Sequence, residues 1–122
     1  MPYKLLIADD ESELAEYLKQ YFQMKGFAVV TCPSGEEAVV MLQKEKPDVA
    51  LLDMLLKGKL DGVGVLKEAK KISPSTKMIM LTGSDTVSKE QEVLKIGVAR
   101  YLRKPITIND LHNVINEVLV DK

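Results

Sequence analysis

Lys4–Glu13 reads KLLIADDESE: an apolar run broken by two adjacent aspartates, with two more carboxylates within three residues. Neighbouring carboxylates repel, and a chain tolerates that repulsion where a positive charge sits between them. The apolar part is continuous rather than alternating, the pattern of a strand covered on both faces. Four further runs have the same character: FAVVT from Phe27, DVALL from Asp48, KMIML from Lys77 and ARYL from Ala99.

Between the runs the period changes to that of a helix. Leu14, Leu18, Tyr21 and Phe22 form one stripe; Ala38, Met41 and Leu42 a second; Val65, Leu66, Ala69 and Ile72 a third. Leu111, Val114, Ile115 and Val118 form the last, at i, i+3, i+4 and i+7. Ser34 with Glu37 and Thr107 with Asp110 have capping-box spacing, and Gly26 and Gly97 stand where helices should stop. The segment from Thr86 to Ile96 has the weakest stripe, so the least secure helix is expected there. Strand and helix alternate five times, which predicts an open parallel five-stranded α/β sheet with right-handed crossovers. No linker, repeat or composition shift divides residues 1–122, so one domain is expected.

Composition narrows the function. The 122 residues are 46% hydrophobic and 29% charged, an ordinary globular profile. A net charge of -1 and a pI near 5.9 argue against non-specific nucleic-acid binding. No apolar run approaches the roughly 18 residues of a membrane span, and the N-terminus lacks the apolar core of a signal peptide, so a cytoplasmic location is expected. The lone Cys32 excludes an internal disulfide and reads as a small buried hydrophobe. The six methionines mostly fall on apolar stripes and read as core, the KEK run at Lys44–Lys46 reads as a solvated helix end, and His112 as a surface or partly buried histidine.

In open parallel sheets ligands bind beyond the carboxyl ends of the strands, where strand order reverses. The first run ends in Asp9 and Asp10, the third in Asp53, the fourth in Thr82 and Gly83, the fifth in Lys104 and Pro105. With strand order 2-1-3-4-5 these groups meet at one edge. Oxygen ligands at that density suit Mg²⁺, which would offset the Asp9–Asp10 repulsion and attract phosphate oxygens. Lys104 adds a point charge for the same anion, the Thr82 hydroxyl a donor, and Asp53 is the carboxylate best placed to attack phosphorus. Taken singly, each residue has an ordinary structural role as cap, turn or core residue; the conjunction at four strand ends carries the signal.

On these residues the chain, from Lys4 to about Val120, resembles a response-regulator receiver domain, the phospho-accepting part of two-component signalling. The resemblance implies a flavodoxin-like (βα)5 fold with helices on both faces. It implies that Asp53 accepts a phosphoryl group from a phosphohistidine on a sensor kinase or phosphotransfer protein. Asp10, Asp53 and the Leu55 carbonyl would hold Mg²⁺, with Asp9 acting through a bridging water. Lys104 would pair with the phosphoryl group or with Asp53, aided by a cis Lys104–Pro105 bond. Thr82 would move toward the phosphoryl oxygen and Tyr101 swing inward, remodelling the face of the fourth helix, fifth strand and fifth helix for a downstream protein. Leu55 and Ser84 would tune the phosphoryl lifetime. Receivers commonly carry a proline four residues after the acceptor and an Asp-Gly pair soon after. Here Lys57 stands at the proline position and Asp61–Gly62 comes one residue late, so a longer, more mobile loop is expected.

Other classes fit less well. An aspartyl-nucleophile phosphatase wants an acid two residues after the nucleophile, where Leu55 stands. A flavin-binding relative would need a Ser/Thr/Gly-rich loop after the first strand rather than Asp9-Asp10-Glu11. Gly62-Val63-Gly64 lacks the third glycine and the strand of a dinucleotide site, and there is no Walker loop. A receiver-shaped interaction module working without phosphate is the main alternative, although it need not keep Asp53, Thr82 and Lys104 together. No output unit is expected after Val120, which leaves a stand-alone receiver or a receiver from a larger protein.

Overall fold

In the computed structural model, which describes residues 2–54, 56, 58–83 and 89–120, the five apolar runs are strands. They are β1 (Lys4–Ala8), β2 (Ala28–Cys32), β3 (Val49–Asp53), β4 (Lys77–Thr82) and β5 (Arg100–Arg103). All pair in parallel, in the order β2-β1-β3-β4-β5. The helices are α1 (Ser12–Met24), α2 (Gly35–Glu45), α3 (Gly62–Ile72), α4 (Glu90–Ile96) and α5 (Ile108–Val120).

The continuous runs follow from two cores rather than one. Leu5, Ile7, Val49, Leu51, Ile79 and Leu81 face α1 and α5, meeting Leu18, Phe22, Leu111 and Ile115. Leu6, Ala8, Ala50, Leu52, Met78 and Met80 face the other way, against Ala38 and Leu42 of α2, Leu66 and Ala69 of α3 and Val93 of α4. Successive residues of a strand point to opposite faces, so both sets must be apolar. Each fully buried large side chain contributes about 1.5–3 kcal/mol, and Phe22, Leu51 and Ile79 are among them.

The expected caps are present. Ser34 Oγ accepts from the Glu37 amide at 3.2 Å, and Thr107 Oγ1 from the Asp110 amide at 3.1 Å. Gly26 and Gly97 follow α1 and α4 with positive φ. α4, with seven residues, is the shortest described helix; Thr86, Val87 and Ser88 of the weak segment lie outside the described residues. Cys32 is buried, and burial, with the Glu37 charge adding, pushes its thiol up to about 12. His112 is half-buried, with Nδ1 3.1 Å from the Tyr21 hydroxyl and its ring edge-on to Phe22 and Phe27.

Two details differ from the sequence reading. Met54, Met78 and Met80 are core, but Met24 is 86% exposed, because it falls on the solvent side of the last turn of α1. Glu45 does not lie free in solvent; it pairs with Lys4 at 2.8 Å and so ties the end of α2 to the start of β1. No described helix is long and apolar enough to cross a membrane.

Candidate functional site

Parallel pairing puts the carboxyl ends of β1, β3, β4 and β5 side by side. Register aligns Ala8 with Leu52 and Asp53 with Leu81, so Asp9 leaves β1 beside the end of β3. Asp9 is 3% exposed and Asp53 7%, while Asp10 is half-buried. One carboxylate oxygen from each of Asp9, Asp10 and Asp53 lies within 4.8 Å of the others. Lys104, immediately beyond β5, reaches across β4 to place Nζ 2.9 Å from Asp53 Oδ2. Its own amide donates to the Thr82 carbonyl at 2.7 Å, and the Lys104–Pro105 peptide is cis.

The electrostatics explain the tolerance of three clustered acids. Burial raises the Asp9 pKa above the ordinary carboxylate value; the Glu11 amide, donating to Asp9 Oδ1 at 2.9 Å, opposes the rise, and the Asp53 charge adds to it. Burial pulls Lys104 down, but its hydrogen bond to Asp53 and the charges of Asp53, Asp9 and Glu11 outweigh this and raise its pKa. Each side therefore favours more positive charge at the acids and a retained ammonium opposite.

The donor set tests which metal the site could hold. The cluster offers carboxylate oxygens and neither thiolate nor imidazole, and Asp10 is half-buried rather than enclosed. That chemistry fits a hard cation that keeps several waters, Mg²⁺ above the softer transition metals. The Leu55 carbonyl, expected to complete the set, lies outside the described residues, as does Ser84.

Thr82 is fully buried at the end of β4, and its hydroxyl donates to the Gly83 carbonyl at 3.0 Å. Tyr101, on β5, is half-buried against the α2–α3–α4 core. Its hydroxyl is enclosed and has no hydrogen-bond partner among the described residues. All the expected residues that are described converge at this end of the sheet except Tyr101, which lies one strand position before the cluster, beside Met80 of β4.

Two supporting roles, those of Asp61 and Glu36, escaped the sequence reading. Asp61 caps α3 by accepting from the Gly64 amide at 2.9 Å and pairs with Lys89 at 3.0 Å. Its signal was present: an aspartate immediately before a helical run. Glu36 accepts from the amides of Lys59 at 3.1 Å and Leu60 at 3.3 Å, tying the described part of the late Asp61–Gly62 loop to the start of α2. Nothing local in the sequence marks Glu36, because the contact joins residues 23 and 24 positions apart.

Comparison with known proteins gives a consistent picture. Residues 5–116 match the response regulator receiver domain family. The chain is 39% identical to "Probable transcriptional regulator ycf27" of Guillardia theta, over 95% of this chain and 45% of that protein. It is 29% identical to "Sporulation initiation phosphotransferase F" of Bacillus subtilis (strain 168), over 98% of this chain and 95% of that protein. The chain therefore spans about half the length of several curated relatives and nearly the whole of another. A CheY-like response regulator receiver domain protein from Methanospirillum hungatei JF-1 superposes with a TM-score of 0.92 at 28% identity, covering 98% of this chain and 94% of that one.

Proposed function

The chain belongs to the response regulator receiver domain family, and from that premise we propose that Asp53 is its phospho-acceptor in phosphorylation-controlled two-component signalling. The observation that carries this reading is the Lys104 ammonium 2.9 Å from the Asp53 carboxylate, beside two further acids. The carboxylate of Asp53 attacks the phosphorus of a phosphohistidine on a sensor kinase or phosphotransfer protein. An O–P bond forms as the N–P bond breaks, and the electron pair returns to the histidine nitrogen, which takes up a proton. Asp9, Asp10 and Asp53, with the Leu55 carbonyl, would hold Mg²⁺, which when bound supplies positive charge for the phosphoryl oxygens.

The chain's own groups do the rest. Lys104 exchanges its Asp53 oxygen for a phosphoryl oxygen. Thr82 gives up the Gly83 carbonyl and donates to the same group, and Tyr101 swings inward to fill the space vacated. Phosphorylation adds about -1.5 to -2 charge and three acceptor oxygens, enough to reorient a hydroxyl and an ammonium. We take residues 1–122 as one receiver domain, cytoplasmic, signalling through a downstream protein rather than by binding nucleic acid itself. It promotes its own phosphorylation and dephosphorylation and has no other catalytic role.

Incubation with acetyl phosphate, with and without Mg²⁺, tests the reading. Intact mass should show one phosphoryl group gained, dependent on the metal and absent in Asp53→Asn. Labelling that survives Asp53→Asn would overturn it. A domain that gained no label under any condition would be the interaction module that works without phosphate.

A further inference from the structure

The backbone at Asp53, the last residue of β3, is held from two sides. Toward β4, the Met54 N–H donates to the Leu81 carbonyl at 2.9 Å. On the other side lies Gly62. Its N–H donates to the Met54 carbonyl at 3.1 Å, and a Cβ on it would meet the Asp53 carbonyl oxygen at 2.7 Å. Where the Asp53 backbone sits therefore depends on what holds Gly62. The chain leading into Gly62 is exposed at Gly58 and Lys59, and its grip comes from the first turn of α2. There Glu36 turns both carboxylate oxygens onto it, Oε2 accepting from the Lys59 amide at 3.1 Å and Oε1 from the Leu60 amide at 3.3 Å. Two glycines make room for the contact. A Cβ on Gly58, which has a φ of +98°, would meet both Glu36 oxygens at 2.6 Å, and one on Gly35 would overlap the Leu60 carbonyl oxygen. The Lys59 amide, with the Glu36 and Leu60 amides adding, holds the Glu36 carboxyl below its ordinary 4.5. Amide bonds to such a charged acceptor are about twice as strong as neutral ones.

We propose that Glu36 is a positioning residue for Asp53: by clamping the Lys59 and Leu60 amides it seats Gly62 against the Asp53 backbone, and so sets the rate at which the Asp53 carboxylate takes a phosphoryl group. The proposal rests on Asp53 being the acceptor. The path is short and continuous. Leu60 stands two residues before Gly62, and Asp61 between them caps α3 through the Gly64 amide at 2.9 Å. Reaction rates fall steeply with misplacement, about 1 Å costing on the order of 100-fold, so a clamp controlling a fraction of that shift changes the rate severalfold. A carboxylate serves both amides at once. Glutamine at position 36 would serve one and turn its NH₂ group, a second donor, toward the other. Glu37 supplies the comparison. It carries the same charge in the same turn, but its carboxylate accepts from Ser34 Oγ at 3.3 Å.

Two measurements on the full chain test this. Amide hydrogen exchange of the unmodified protein reports local opening. Glu36→Gln should speed exchange at Lys59, Leu60 and Gly62 by roughly three- to tenfold and leave α1 and α5 unchanged, while Glu37→Gln should leave Gly62 as in the parent. The second measurement is the rate of phosphoryl gain from acetyl phosphate at saturating Mg²⁺, read by intact mass at a temperature where every variant is folded. That rate should fall roughly three- to tenfold in Glu36→Gln and stay at the parent's value in Glu37→Gln. Parent-like protection of Gly62 in Glu36→Gln would overturn the seating step. A parent-like rate in Glu36→Gln, or an equal fall in Glu37→Gln, would overturn the positioning role and leave Glu36 a stabilising residue of α2. A parent that gained no phosphoryl group would overturn the acceptor reading, and the rate effect with it, while exchange at Gly62 would still decide whether Glu36 seats that residue.

Discussion

Lys104 Nζ and Asp53 Oδ2 stand 2.9 Å apart although 51 residues separate them, and β4 lies between their strands. The pair is the keystone of the acid cluster. Asp53 is nearly enclosed and Asp9 more so, and Lys104 is the cation that faces both. Without that ammonium the two enclosed carboxylates would keep their mutual repulsion and lose a direct ionic partner.

Removal of the ammonium should therefore cost both stability and reactivity. Without divalent ions, Lys104→Ala should lower unfolding free energy by about 1–2 kcal/mol, less than for a fully buried pair because the lysine is partly solvated. Urea unfolding with and without Mg²⁺ checks this, and the ion should narrow the gap. Phosphoryl gain from acetyl phosphate should slow on the order of 100-fold, the usual cost of losing one charge-stabilising donor.

The acids should behave in the opposite sense. Asp10→Asn removes one like charge, so in the presence of a chelator the variant should be more stable than the parent by about 1 kcal/mol. Adding Mg²⁺ should raise the parent's melting temperature and leave the variant's nearly unmoved. Calorimetry with and without chelator measures both, and an equal response to Mg²⁺ in the two proteins would remove Asp10 from the ligand set.

Gly62 lies against the end of β3. A Cβ there would meet the Asp53 carbonyl oxygen at 2.7 Å and the Met54 Cα at 2.9 Å, backbone atoms that cannot turn aside. Gly62→Ala should cost about 1–3 kcal/mol through overpacking. The midpoint of denaturant unfolding reads the loss, which should exceed that for alanine at the exposed Lys59.

Asp61 supplies a pH dependence. Burial raises its pKa, but the Gly64 amide and the Lys89 ammonium outweigh this and hold it below the ordinary value of 3.8. A carboxylate depressed on folding contributes stability that is present above its unfolded pKa and lost as pH falls through the folded one. Asp61→Asn keeps the capping oxygen and loses the charge. The variant should thus be less stable than the parent at pH 7, by under about 1 kcal/mol because the side chain is partly exposed. The difference should fade as pH drops below 3.8. A difference constant from pH 7 to pH 2 would mean that the charge is not what matters.

How far the sequence foretold this arrangement depends on the range of each interaction. Asp9, Asp10, Asp53, Thr82 and Lys104 were readable because each directly follows a run apolar on both faces, and strand ends in a parallel sheet share one edge. The Ser34 cap was readable because its partner lies three residues on. Glu36, Glu45 and Lys89 were not. Each is a charged residue on a helix surface or at a helix end, and its partner is fixed only when α2 meets the β3–α3 loop, when α2 ends beside β1, and when α4 meets α3. Met24 misled for the converse reason: an apolar side chain at the end of α1 has no neighbour to cover it.

The central claim is that the carboxylate of Asp53 becomes covalently bonded to phosphorus. Borohydride reduction after treatment with acetyl phosphate and Mg²⁺ converts an acyl phosphate to the corresponding alcohol, and peptide mass spectrometry reads where. The account predicts homoserine at position 53, with Asp9, Asp10 and Asp48 unaltered. Homoserine at any of those three, with Asp53 intact, would contradict it.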